Sequence, residues 1–184
     1  MTVGSIRVPE FDVRLFAQGD EPRLRRVFHS AIHTHAAPHH SCDQLHAWSP
    51  EIIDASSVTR WVERTRAIRP FVVEVVGGDE TGIAAYADLQ PDGYIDHFYV
   101  AGRYGGRGVG QRLMTHLLED ARDRGIAVLT SDVSFTAEGF FARFGFVAVA
   151  RQTVVVRGVE FSNTKMRRDL ASRSGEDDQA TPAS

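Results

Sequence analysis

Val100-Ala101-Gly102-Arg103-Tyr104-Gly105-Gly106-Arg107-Gly108-Val109-Gly110-Gln111-Arg112-Leu113 is the stretch on which the fold turns. It leaves a predicted strand over 94–100 and enters a helix whose apolar residues, Val109, Leu113, Met114, Leu117 and Leu118, recur at helical spacing until Gly125 ends it. Between the two lies a glycine cluster flanked by Arg103, Arg107 and Arg112. Glycines let the backbone approach an anion closely. The unpaired N–H groups of a helix start, with their partial positive charge, then cradle it. A plain strand–helix turn needs only one or two glycines and no arginines beside them.

The kind of anion is narrowed by what is missing. A nucleoside-triphosphate loop requires Lys then Ser or Thr after its last glycine, and here Gln111-Arg112 follow Gly110. A dinucleotide loop counted from Gly106 and Gly108 would need its third glycine at Gln111, at the front of a strand–helix–strand repeat. The strands before this loop form a meander instead: 71–76, a turn at Gly77-Gly78-Asp79, 83–89, a turn at Pro91-Asp92-Gly93, then 94–100.

Further out, residues 12–16 alternate as a first strand, and Asp20 with Pro22 starts a helix carrying Leu24, Val27, Phe28, Ala31 and Ile32. Residues 36–40 break around Pro38. Ser41 and Gln44 spell a capping box for a short helix through Trp48. Ser56 or Ser57 is the expected cap of a third helix, carrying Trp61 and stopped by Arg69-Pro70. After the glycine loop, 126–129 reads as a short buried parallel strand, 137–144 as a helix, and 146–156 with 159–166 as an antiparallel pair across Arg157-Gly158. The expectation is one α/β domain: a mixed, mostly antiparallel central sheet of about seven strands with helices on both faces. It would span residues 11–170, between an N-terminal extension (1–10) and a disordered tail (171–184).

Composition agrees with one soluble domain: 184 residues, 42% apolar, 24% charged. The net charge of -3 and the lack of aromatic–basic interleaving argue against nucleic acid as a partner. No apolar run reaches membrane-span or signal-peptide length, so no membrane partner is expected. Cys42, the single cysteine, excludes an internal disulfide and a cysteine-built metal cluster, and a cytoplasmic location is the default.

A second segment, Ala137-Glu138-Gly139-Phe140-Phe141-Ala142-Arg143-Phe144-Gly145-Phe146, comes about thirty residues after the loop. Loop and segment together resemble the GNAT family of N-acetyltransferases. Gly108 and Gly110 fill the small positions of that family's phosphate loop, and Gly105 stands where Gln or Arg is usual. A narrower likeness is to acetyltransferases of the YafP type, on the double Phe before Gly-Phe, on Gln44 to Pro50, and on the chain end from Thr153 to Met166.

The resemblance implies acetyl-CoA as co-substrate, no metal, and an amine acceptor that attacks the thioester directly. It implies that the strand over 94–100 splays from the next one. Pantetheine would lie against Phe98, Tyr99 and Val100, the pyrophosphate on Gly105, Gly106, Arg107, Gly108, Val109 and Gly110, with Gln111, Arg112, Ser134 and Phe141 completing the cofactor contacts. The family's general-acid tyrosine corresponds to Phe141, which has no proton to give, and its Asn position to Ser134, whose hydroxyl can bond the thiol sulfur. That departure keeps open a non-catalytic acyl-CoA-binding module. A homodimer is a further expectation by analogy.

Asp96 is the first choice of general base. Alternation places it with Tyr94 and Phe98, beside the expected thioester, and half-burial makes a carboxylate a stronger base. Pairing with a helix arginine is the competing role. His97 falls on the opposite face, and Asp132 at a strand end is a third candidate. Six histidines lie between His29 and His46. His29 and His33 share a helix face, but no H-E-x-x-H pattern accompanies them, so these residues are expected to border an acceptor pocket. Phe140, Trp48 and Trp61 read as packing residues, with lining of that pocket as the alternative for the two tryptophans.

Overall fold

The structure, a computed structural model, describes residues 10–76 and 82–170. The turn read at 77–79, the N-terminal extension up to residue 9 and the tail at 171–184 lie outside the described residues.

In chain order the elements are β1 (Glu10–Leu15), α1 (Glu21–Ala31), α2 (Cys42–Trp48), α3 (Ala55–Ile68), β2 (Phe71–Val76), β3 (Gly82–Ala87), β4 (Tyr94–Ile95), β5 (Phe98–Val100), α4 (Val109–Asp123), β6 (Val128–Ser134), α5 (Phe135–Arg143), β7 (Val147–Val156) and β8 (Val159–Asp169). A π-helical turn (Ile32–Ala36) and a 3₁₀ turn (Ala37–His39) prolong α1, and another 3₁₀ turn (Gly102–Tyr104) opens the glycine loop.

The strands form two four-stranded sheets, β1-β2-β3-β5 and β4-β6-β8-β7. All pairs are antiparallel except β4 with β6. The strand predicted over 94–100 is therefore two short strands, one in each sheet, parted by Asp96 and His97. The cause is Asp88. Its buried carboxylate accepts the backbone N–H of Asp96 (3.0 Å) and of His97 (2.6 Å), so neither amide is free for a ladder. The parallel strand is longer and later than expected, because Ser131 to Ser134 pair with β8 beyond the apolar run.

β3 is buried on both faces, Ile83 to Ala87, and both α1 and α4 contact it. The α4 face predicted from periodicity is buried throughout, with Leu113, Met114 and Leu117 fully enclosed. Several local signals act as read. Ser41 and Gln44 bond reciprocally as a capping box, and Arg157-Gly158, at φ 49 and 82, make the two-residue turn between β7 and β8.

Two caps differ. α3 is capped by Asp54, which accepts from the Ser57 amide at 2.6 Å, leaving Ser56 and Ser57 inside the helix. Asp20 stands at the start of α1 but spends its carboxylate on Arg14 (2.7 Å) and the Ala17 amide (3.0 Å). Burial alone would push the Asp20 carboxyl up; those bonds hold it below its usual value. Among the described residues no helix is long and apolar enough to cross a membrane.

Candidate active site

β4 and β6 pair for only two positions, Tyr94 with Thr130 and Ile95 with Ser131. Beyond them β5 turns away to pair with β3, leaving its other edge without a strand partner. The expected splay thus begins at Ile95, and a cleft of about 600 Å³ opens between β5 and the end of β6. Phe98 and Val100 form one wall. Phe140 and Phe141 form the other, with ring centroids 5.3 and 5.6 Å from Phe98. Phe140 is thus a half-buried cleft residue as well as a packing one, whereas Phe141 is buried.

The glycine loop closes one end. Gly106 and Gly108 have φ of 72 and 78, and a Cβ on either would meet nothing within 4 Å. These glycines serve a backbone path that L side chains rarely adopt, with open space beside it. Gly110 is different: a Cβ there would sit 3.3 Å from Val100 and 3.4 Å from the Phe140 ring. A Cβ on Gly105, the position of the departure noted in the sequence, would lie 2.6 Å from the exposed His35 ring and 3.3 Å from the Gly102 carbonyl, so a side chain there requires His35 to shift. The loop is also tied to α1 by the Gly102 amide, which donates to Ser30 at 3.0 Å.

Of the predicted cofactor residues, Phe98, Tyr99, Val100, Gly105, Gly106, Gly108, Val109, Gly110, Gln111, Ser134 and Phe141 line this cleft. Arg107 and Arg112 do not. The Arg107 guanidinium lies 5.7 Å from the Tyr104 ring, and Arg112 lines a neighbouring hollow with Asp12 and His116 that shares Gly108 and Gln111 with the cleft.

A second cavity, about 370 Å³, adjoins the cleft, and the two share Trp48, Asp96, Tyr99, Asp132 and Ser134. Asp96 therefore stands where they meet. Its carboxylate forms an ion pair with Arg64 of α3 and lies 3.5 Å from His97 Nε2. His97 is buried, bonded through Nδ1 to the Tyr86 hydroxyl at 3.2 Å. Burial pushes its imidazole down to about 4, against a smaller upward pull from Asp96. Ser134 Oγ bonds Thr136 Oγ1 at 3.0 Å. Asp132 accepts from the Tyr94 hydroxyl at 3.2 Å.

The histidine cluster divides. His40 borders the second cavity, and His35 and His39 border the cleft. His29 and His33 spend their nitrogens on Ser49, at 3.0 and 2.8 Å. Among the described residues no three His, Cys, Asp or Glu side chains converge as metal ligands. Trp48 lines both cavities, while Trp61 packs on Phe28 and donates to the Glu21 carbonyl at 2.8 Å.

Sequence reasoning overlooked Asp88 and Arg64. Asp88 was discernible as the one charged residue in the apolar run Ile83 to Leu89. Burial pushes its carboxyl up, and the two amides it holds pull it partly back. Asp88→Ala is expected to destabilise the protein by about 3–5 kcal/mol, because two buried N–H groups lose their acceptor. Asp88→Asn, which keeps an oxygen there, should stay within about 1–2 kcal/mol. Urea unfolding of both variants checks this, and equal losses would deny Asp88 the role of shaping the bend.

The family profile described as an acetyltransferase (GNAT) domain matches residues 36–170. The uncharacterized N-acetyltransferase YafP of Escherichia coli K12 is 32% identical over 155 residues, covering 84% of this chain and 93% of that protein. The L-amino acid N-acyltransferase MnaT of the same organism is 29% identical over 143 residues, 71% and 82% of the two chains. A crystal structure of a GCN5-related N-acetyltransferase from Rhodopseudomonas palustris superposes with a TM-score of 0.75 at 29% identity, covering 92% of this chain and all of that one.

Proposed function

Because the chain belongs to the GNAT family of acetyltransferases, we propose that it moves the acetyl group of acetyl-CoA to a primary amine by direct attack on the thioester. The observation that carries this reading is the adjacency of the two cavities. One has a backbone cradle and a narrow apolar slot; the other holds polar groups and aromatic walls; Asp96, Ser134 and Tyr99 stand at their junction.

The residues present fit the co-substrate. Gly106 and Gly108 offer open backbone to a pyrophosphate, with the free amides of the α4 start beside them. The open edge of β5, Phe98 to Val100, offers peptide groups to the pantetheine amides. Phe98, Phe140 and Phe141 keep water from the slot.

In the reaction the acceptor nitrogen loses a proton, forms a bond to the acetyl carbon, and the carbon–sulfur bond breaks. The sulfur then takes a proton. Asp96 is the group we assign to the first proton, directly or through a water. Ser134 is assigned to the sulfur, since Phe141 offers no hydroxyl at the usual place and Ser134 lines both cavities. The cytoplasm is the compartment we assign, in keeping with the lone Cys42. An L-amino acid acceptor is a second reading, favoured by the likeness to the L-amino acid N-acyltransferase MnaT.

Thermal unfolding with acetyl-CoA or ATP, paired with an assay of thiol release in an amine library, tests the reading. Acetyl-CoA at about a hundred times its Kd stabilises a protein that binds it by about 2.7 kcal/mol. Stabilisation by acetyl-CoA but not ATP, with amine-dependent thiol release, is expected. Stabilisation without release from any amine would leave a binding module.

A further inference from the structure

The second cavity bears on which amine is acetylated, a question that rests on the function proposed above. Its walls are aromatic. Phe28 meets Tyr99 edge to face at 4.8 Å on one side, and Trp48 meets Phe161 at 5.7 Å on the other. Its volume, about 370 Å³, suits a ring-sized ligand.

Its charges are unevenly used. Arg64 is the guanidinium that lines it, and that group is already paired with Asp96. Asp132 forms no ion pair among the described residues: Lys165 stands opposite it on β8 without reaching ion-pair distance, and its hydrogen-bond partner is a neutral donor, the Tyr94 hydroxyl. The buried His97 adds no positive charge near neutral pH. Two carboxylates thus face one committed guanidinium, beside the junction with the cleft.

From this arrangement we infer that the acceptor is a primary arylalkylamine, a cation with an aromatic ring and no carboxylate. Its ammonium docks against Asp132, next to Ser134 at the junction, and its ring lies among Phe28, Tyr99, Trp48 and Phe161, whose faces also favour a cationic neighbour. An α-amino acid of the same skeleton brings a carboxylate up to Asp132 and Asp96, where the guanidinium is taken, and like charges set side by side oppose it. Transfer gives the N-acetylamine, free CoA and one proton: one carbon–nitrogen bond replaces one carbon–sulfur bond, the ammonium gives one proton to Asp96 and on to solvent before attack, and the second proton lost from nitrogen balances the one gained by sulfur.

Matched pairs test this in the full-length protein. Phenethylamine is compared with L-phenylalanine, and tryptamine with L-tryptophan, each pair differing by the carboxylate alone, with thiol release from acetyl-CoA as the readout. In both pairs the amine is expected to have at least about tenfold higher kcat/KM. Asp132→Asn, at an exposed position, should raise KM for the amines about tenfold, with the stabilisation by acetyl-CoA near wild type. An amino acid that equals or exceeds its amine, or an unchanged KM in Asp132→Asn, overturns the inference. So does stabilisation by acetyl-CoA with neither amine acetylated, a result that leaves the co-substrate reading intact. If acetyl-CoA does not stabilise the protein at all, the reading beneath it fails instead.

Discussion

Asp96→Asn is expected to lower kcat by about 10²–10⁴ while the KM for acetyl-CoA stays within about twofold. The substitution keeps the shape of the side chain and an oxygen to face Arg64, so the bend at 96–97, held by Asp88 through backbone amides, should persist. What the amide cannot do is take a proton from the incoming nitrogen. The position matters as much as the chemistry: Asp96 lines both cavities, whereas His97, its neighbour, is buried against Tyr86. Steady-state kinetics with each substrate varied in turn measures the effect. A fall of less than about fivefold would make Asp96 an anchor for Arg64, and the proton would have to leave by another route.

Gly110→Trp should abolish stabilisation by acetyl-CoA and cut kcat/KM for it by at least about 10²-fold. A Cβ at Gly110 already lies 3.3 Å from Val100 and 3.4 Å from the Phe140 ring, so an indole there fills the slot between β5 and α5. The fold should tolerate the change, because Gly110 sits in the first turn of α4 and most residues favour a helix over glycine by up to about 1 kcal/mol. Thermal unfolding of the variant alone, then with acetyl-CoA, separates the two effects. A variant that unfolds near the wild-type temperature and still responds to acetyl-CoA would place the co-substrate somewhere other than this cleft.

The elements that the sequence exposed were those with local causes. The apolar stripe of α4, the capping box at Ser41 and Gln44, and the turn at Arg157-Gly158 each depend on residues a few positions apart. The glycine loop was legible for the same reason, and with the segment ending at Phe146 it pointed to the family that the profile match identifies. What stayed hidden depends on contacts far apart in the chain. Arg64 reaches Asp96 across thirty-two positions, and His35, seventy positions away, stands against Gly105. The division of 94–100 into two strands could not be read from alternation, because its cause is a carboxylate just beyond the preceding strand. Proximity in sequence assigns Arg107 and Arg112 to the phosphates; in the structure Arg107 lies over the Tyr104 ring and Arg112 lines a hollow that shares Gly108 and Gln111 with the cleft.

The burial of His97 also bears on acid tolerance. An imidazole pushed down to about 4 from its ordinary 6.5 carries no charge through the neutral range, so drift in the surroundings between pH 6 and 8 leaves its side of the pocket electrically constant. This residue's contribution to stability is fully present above 6.5 and fades as the pH falls towards 4, where the unfolded chain, free to take the proton, gains. Steadiness near neutrality is thus coupled to a vulnerability in acid, and both arise from one ring enclosed beside Tyr86.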